Sequence, residues 1–279
     1  MKGASDGQDR SSRPCPQSPR ASLHRPCRLP LSRCVLLSVS KEKSIVTRPV
    51  ITAFDWVPDF AKGQVRDLRV RWALEEVGQP YDVRYLSQGE QKHPDHRARQ
   101  PFGQVPTLEE GELTLFESGA IVHHIATTRG GLLPADAAAR ARAVEWMFAA
   151  LNTVEPPVMD LSFVDLFEAD KPWSKPRRPS VEQRIRERLQ DVASRLGEND
   201  WFDGDFSAGD LLMVAVLRII RDDPLLSEHP TLADYVTRGE ARPAFQRALA
   251  AQMAGFTGSP PPGFAEWEAK MKTSEGESA

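Results

Sequence analysis

Residues 100–128, QPFGQVPTLEEGELTLFESGAIVHHIATT, constrain the fold of this chain more than any other stretch. A Pro/Gly opening reads as a turn, Val105–Glu109 as a strand, Glu110-Gly111 as a second turn, Glu112–Phe116 as a second strand and Glu117 as the start of a helix. Val105-Pro106 sets a proline at the mouth of a strand, where it is expected on an edge or in a bend and where a cis peptide is accessible. A cis bond there would turn the amide and carbonyl of Val105 outward, free to pair with an extended, peptide-like ligand. Further on, Glu117-Ser118 opens a helix whose first N–H groups lack intrahelical partners and whose dipole favours an anion. A carboxylate would dock on Ser118 and those amides, while Glu117 pairs with a neighbouring ammonium.

These features describe a pocket for a small molecule with a carboxylate, an ammonium and a peptide bond, which is the γ-glutamyl end of glutathione. The motif G-x-V-P-x-L followed by E-S-x-A-I resembles the glutathione-binding signature of the glutathione S-transferase family, in its cytosolic, bacterial-like form. The plainer alternative is an ordinary β-hairpin and helix in which Ser118 only caps.

The 279 residues suffice for one large domain or two small ones. No apolar run approaches the ~20 residues of a membrane span. Residues 1–49 hold ten Lys/Arg against three Asp/Glu, so the body carries 26 against 36, and an acidic body argues against a nucleic-acid partner. The three cysteines, Cys15, Cys27 and Cys34, all lie in that basic leader, which excludes a disulfide or a cysteine nucleophile in the body. Their spacing lacks the short paired intervals of a zinc site. The leader is rich in Ser, Arg and Pro, and is expected to be a disordered extension.

At Pro49 the character changes. Val50–Trp56 reads as a strand, Gln64–Val77 as a helix closed by Gly78, and Tyr81–Leu86 as a second strand. With the stretch above, the order β-α-β-(α)-β-β-α implies an α/β thioredoxin-like layer over residues 50–130. Beyond Gly130 only helices are expected: Ala135–Leu151, closed by Asn152 and Pro156-Pro157; a helix opened by the capping box Ser180-x-x-Gln183 and ended by Gly197; and Leu211–Ile220, apolar nearly all round and opened by Ser207-x-x-Asp210. Residues 131–256 thus read as an all-α domain, and 257–279 as a tail. WFDGDFSAGDLLMVAVL and Arg242-Pro243-Ala244-Phe245 resemble the central-helix and closing segments of the transferase helical domain, so the resemblance covers roughly Val50 to Phe256.

The resemblance implies that glutathione is the co-substrate. Glu117 and Ser118 would hold its γ-glutamyl group, the backbone at Val105-Pro106 its cysteinyl unit, and Gln104 with Gln91 or Lys92 its glycine carboxylate. Such enzymes make the thiol a thiolate, the nucleophilic form. Family members usually place a Tyr, Ser or Cys just after the first strand for this purpose. Between Val50 and Asp67 this chain has none of them, and Ala61 stands where the serine is expected. Two readings follow. Either the start of the first helix, with Lys62 or Arg66, lowers the thiol pKa through its amides and charge, or the pocket belongs to a non-catalytic scaffold or regulatory binding protein.

The resemblance implies that the electrophile site draws on Phe60 in the first loop and, by their place in the helical half, on Trp146, Ala149, Val154 and Met159. An apolar lining fits conjugation of a small hydrophobic electrophile, peroxide reduction, isomerisation or dehalogenation alike. His123-His124 point about 100° apart on a helix and cannot share a metal, and His93-x-x-His96 has no third ligand, so no metal is expected. The resemblance further implies a cytoplasmic homodimer with neither membrane nor nucleic acid as partner.

Overall fold

The computed structural model describes residues 48–269. The expectations for the leader, its cysteines and residues 270–279 lie outside the described residues. Strand β1 (Val50–Phe54) is central, with Ile51, Thr52 and Ala53 all buried because both of its faces are covered. It pairs in parallel with β2 (Asp82–Leu86) and antiparallel with β3 (Thr107–Glu110), which continues antiparallel into β4 (Leu113–Phe116). The sheet order β2-β1-β3-β4 is that of the expected thioredoxin-like layer. Thr52 is spent on this sheet: its hydroxyl takes the Thr107 amide at 2.7 Å and meets the Thr107 hydroxyl at 3.0 Å.

Helix α1 (Asp67–Glu76) starts later than its apolar pattern predicts. Gly63 is left-handed at φ 76°, and the carbonyls around it are drawn toward the chain's helical half. Arg218 Nη1 donates to the Gly63 carbonyl at 2.8 Å, and Gln252 Nε2 to that of Val65 at 3.1 Å. Residues 64–66 therefore form tight turns before α1 begins. Buried Arg71 is neutralised by Asp67 one turn earlier at 2.7 Å, and Asp67 also accepts from Gln252. The short α2 (Pro94–Arg97) follows β2, and α3 (Ser118–Arg129) packs on α1.

The helical half differs from expectation in two places. Helix α4 (Ala137–Phe148) does not close at the proline pair. It runs through a π-helical turn, Ala149–Val154, into α5 (Glu155–Ser162), with Pro156 and Pro157 in the first turn of α5, where a missing N–H costs no helical bond. A second π-helical turn, Phe163–Phe167, follows. Helix α6 (Ser174–Leu196) begins before the anticipated capping box. Ser174 bonds the Val164 carbonyl and fixes the entry there, so Ser180 lies inside the helix and donates to the Arg177 carbonyl instead.

Helix α7 (Ala208–Leu217) is the buried centre and carries the anticipated capping box. Asp210 accepts from the Ser207 amide and hydroxyl, the Phe202 amide and the Tyr235 hydroxyl. Helices α8 (Pro224–Ser227), α9 (Pro230–Glu240) and α10 (Pro243–Ala254) complete the bundle. Arg242 clamps Glu76 at the end of α1 with two bonds of 2.6 and 2.8 Å, and α1 packs along α10. The described residues fall in one compact unit, so the sheet-bearing and helical parts share a core. No described helix is long and apolar enough to cross a membrane.

Candidate active site

A cavity of about 480 Å³ opens between the two parts. One wall is polar: Gln88, Gln91, Gly103, Gln104 and Val105, from the loops that follow β2 and precede β3. The opposite wall is apolar, with Phe60 from the loop after β1, Met159 from α5, Leu166 and Phe167 from the second π-helical turn, and Ile219. The Val105-Pro106 peptide is cis. Neither the amide nor the carbonyl of Val105 bonds another described residue, which leaves a donor and an acceptor at the polar wall.

Between the walls lies a charge cluster. Glu155, 7% exposed at the start of α5, accepts from Arg66 at 2.7 and 3.1 Å and from Arg69 at 2.9 and 3.1 Å. Burial pushes the Glu155 carboxyl up, but the two guanidiniums beside it outweigh this and hold it below the usual carboxylate range. Two cations meet one carboxylate here, and the Glu117 carboxylate also acts on Arg69, so it is Arg66 whose charge is least compensated beside the cavity. Arg69 is buried, whereas the Arg66 side chain is 43% exposed and lines the cavity.

Arg69 also donates to the Ser118 hydroxyl at 3.3 Å. Ser118 is buried and makes no capping bond, so its hydroxyl proton stays available to an incoming acceptor. Glu117, just before it, has φ 68° and ψ 116°, a conformation that costs a non-glycine residue about 1–3 kcal/mol. Strain of this kind clusters at ligand clamps.

The family description "Glutathione S-transferase, N-terminal domain" matches residues 51–127. A glutathione S-transferase F11 of Arabidopsis thaliana is 32% identical over 177 residues, 59% of this chain and 82% of that protein. A probable glutathione S-transferase, GSTF2, of Oryza sativa subsp. japonica is 31% identical over 185 residues, 62% of this chain and 86% of its own length. The chain belongs to the glutathione S-transferase family. It is thus a transferase enzyme by descent, and solved structures agree in fold. A Burkholderia graminis glutathione transferase, crystallised with two glutathione molecules per subunit, superposes with a TM-score of 0.65 at 25% identity, covering 73% of this chain and 88% of that one.

Within this transferase the anticipated residues separate. Gln91, Gln104 and Val105 stand together at the polar wall, with Pro106 next in the chain. Gln91 already spends its Oε1 on the Gly89 amide at 2.7 Å, and Lys92 donates to the Gly103 carbonyl at 3.0 Å. Ala61 lines the cavity, so no hydroxyl is supplied from that position. Arg66 reaches the cavity, but Lys62 does not: its ammonium is held by Asp59 at 2.7 Å in the turn Asp59–Ala61, away from the lining. Ser118 and Glu117 flank the start of α3, with Glu117 opening onto a second groove.

Of the apolar candidates, Phe60 and Met159 line the cavity, while Trp146, Ala149 and Val154 do not. Trp146 is stacked on Phe202 at 3.9 Å, and Val154 is 2% exposed in the core. Of this part of the chain it is α5, through Glu155, Met159 and Ser162, that lines the cavity. Sequence reasoning missed Arg69, Glu155 and Ser162, the last of which also lines the cavity. For Glu155 the signal was a lone charge inside the apolar segment NTVEPPVM, which in a buried helix requires a partner, whereas Arg69 stands between Asp67 and Arg71 in DLRVRW and carries no such signal. His96 is buried and bonds the Gln104 carbonyl at 2.7 Å, bracing the polar wall. Among the described residues no cluster of His, Cys, Asp or Glu is arranged to hold a metal ion.

Proposed function

We propose that this chain is a glutathione transferase that joins glutathione to a small hydrophobic electrophile. The observation that carries the reading is a single cavity with an unpaired backbone donor and acceptor at Val105 on one side, aromatic and aliphatic side chains on the other, and Arg66 between them. The γ-glutamyl carboxylate would be taken by Ser118, backed by Arg69, and by the free amides of α3, with Glu117 facing the ammonium. Val105 would pair with the cysteinyl unit, and Gln104 and Gln91 would meet the glycine end. The thiol then lies near Ala61 and Arg66, where the Arg66 guanidinium favours the thiolate. Arg66 supplies by charge what a hydroxyl would supply by hydrogen bonding.

Membership of a transferase family favours the enzyme over a scaffold. Phe60, Met159 and Phe167 suit a small hydrophobic electrophile, and cytoplasmic residence belongs to the same proposal by resemblance. Domain limits of 50–130 and 131–256 follow the change from sheet to helices. A homodimer is supported by a groove of about 540 Å³ along α3 and α4, where Phe148 is 62% exposed, and by Phe102, 61% exposed and packed edge-on to Phe116.

The test is calorimetric titration of the full chain with glutathione, repeated on Ser118→Ala. Micromolar-to-millimolar binding that weakens about tenfold in the variant supports the proposal, since a hydrogen bond to a charged group contributes on this scale. No binding to the intact chain would overturn it.

A further inference from the structure

One exposed apolar element of the cavity wall is held from behind by residues that follow α10. Phe60 lines the cavity, is 47% exposed, and packs at 6.3 Å against Trp267. Trp267 rests on Phe264 at 5.4 Å, and Phe264 meets the edge of Trp56 at 4.7 Å. Trp56 and Phe60 bracket the loop that leaves β1, so two aromatic residues of a helical segment over 264–269 grip both ends of that loop. The chain reaches this position by a close crossing. The Gly258 amide donates to the Asp55 carbonyl at 2.9 Å, and a Cβ on Gly258 would fall 2.6 Å from the Asp55 carboxylate carbon, which is itself fixed by the Ser87 hydroxyl at 2.7 Å. Near β1 the loop is held by buried Val57 and by Gln88, which donates to the Trp56 carbonyl at 3.0 Å, but its far end offers few holds. Asp59 and Phe60 are exposed, and its one short helical turn buries no residue.

We propose that residues 256–269 form a strap whose Phe264 and Trp267 are positioning residues for the electrophile side of the cavity. By fixing Phe60, they set how large a group on the glutathione sulfur the enzyme accepts. Neither ring lines the cavity, so their effect passes through Phe60. The inference rests on the reading of this cavity as the site of glutathione and electrophile.

The experiment uses the full chain and two probes, glutathione and S-hexylglutathione, whose hexyl group extends from the sulfur along the apolar wall. The wild type is expected to bind S-hexylglutathione about tenfold more tightly than glutathione, from the apolar area buried. In Trp267→Ala and Phe264→Ala that advantage falls about fivefold, while the Kd for glutathione stays within about twofold. Trp267→Phe restores most of it. In a Phe60→Ala background Trp267→Ala has no further effect, because coupled residues are not additive. A purely stabilising role would lower the melting temperature and leave the ratio of the two affinities unchanged, which would overturn the proposal. So would an undiminished Trp267→Ala effect in the Phe60→Ala background, or a wild type with no preference for the hexyl probe. Failure of the wild type to bind glutathione at all would instead sink the functional reading beneath it.

Discussion

Arg66 Nη2 lies 2.7 Å from Glu155 Oε1, joining the turn before the first helix of the sheet-bearing part to the first residue of α5. The same carboxylate holds Arg69 at 2.9 Å, and Arg69 holds the Ser118 hydroxyl. One buried glutamate from the helical part therefore organises both cations of the site. Its pairing leaves Arg66 at the cavity with its charge incompletely cancelled.

Arg66→Ala removes that charge. The pKa of bound glutathione's thiol is expected to rise by about one pH unit, and kcat/KM at pH 6.5 to fall about tenfold or more. Lys62→Ala is expected to stay within about twofold, since an exposed i,i+3 ion pair with Asp59 contributes little. Thiolate absorbance against pH, measured in both variants, separates the two residues.

Glu155→Gln leaves Arg69 buried without its counter-charge, at a cost of about 3–5 kcal/mol. The substitution also alters the response to acid. Glu155 titrates below its usual range in the folded chain, so its stabilisation is complete above the unfolded value of about 4.3 and is lost as the pH falls through the lower folded value. Urea midpoints between pH 6 and pH 3 are expected to drop more steeply in the wild type than in the variant.

Asp210→Ala strips four donors of their acceptor at the entry to the central helix. Burial raises the Asp210 carboxyl in spite of these hydrogen bonds, yet the orphaned donors make the variant about 2–4 kcal/mol less stable. Equilibrium urea unfolding measures the difference.

Phe148→Glu is expected to halve the particle mass seen by sedimentation velocity, because a charge in the α3–α4 groove would meet the apolar face of a second copy. Unchanged mass would contradict a homodimer formed through this groove.

The fold was legible wherever local chemistry and tertiary demand agreed. The hairpin, the cis Val105-Pro106 turn and the Ser207–Asp210 cap are short-range patterns whose meaning does not depend on distant residues. Errors arose where a distant partner took over. The apolar period of the first helix continues back to Gln64, but Arg218 and Gln252 hold the carbonyls that would extend the helix there. Pro156-Pro157 has the pattern of a stop, since the sequence does not announce a π-helical turn that fits both prolines into a new first turn. Trp146 misses the cavity because it stacks on Phe202, and Val154 because it is buried in the core. Glu155 and Arg69 stayed hidden for a related reason: their pairing spans 86 positions, and only the fold brings them together.

The central claim is that this cavity ionises the thiol of glutathione without a hydroxyl from the chain. The most direct measurement is calorimetric titration of the full chain with glutathione and with S-methylglutathione, in buffers of different ionisation enthalpy at pH 7. Release of a large fraction of a proton on binding glutathione, none on binding its S-methyl analogue, and a clear loss of that release in Arg66→Ala is the predicted result. Equal proton release from both ligands, or release that persists undiminished in Arg66→Ala, would contradict the account.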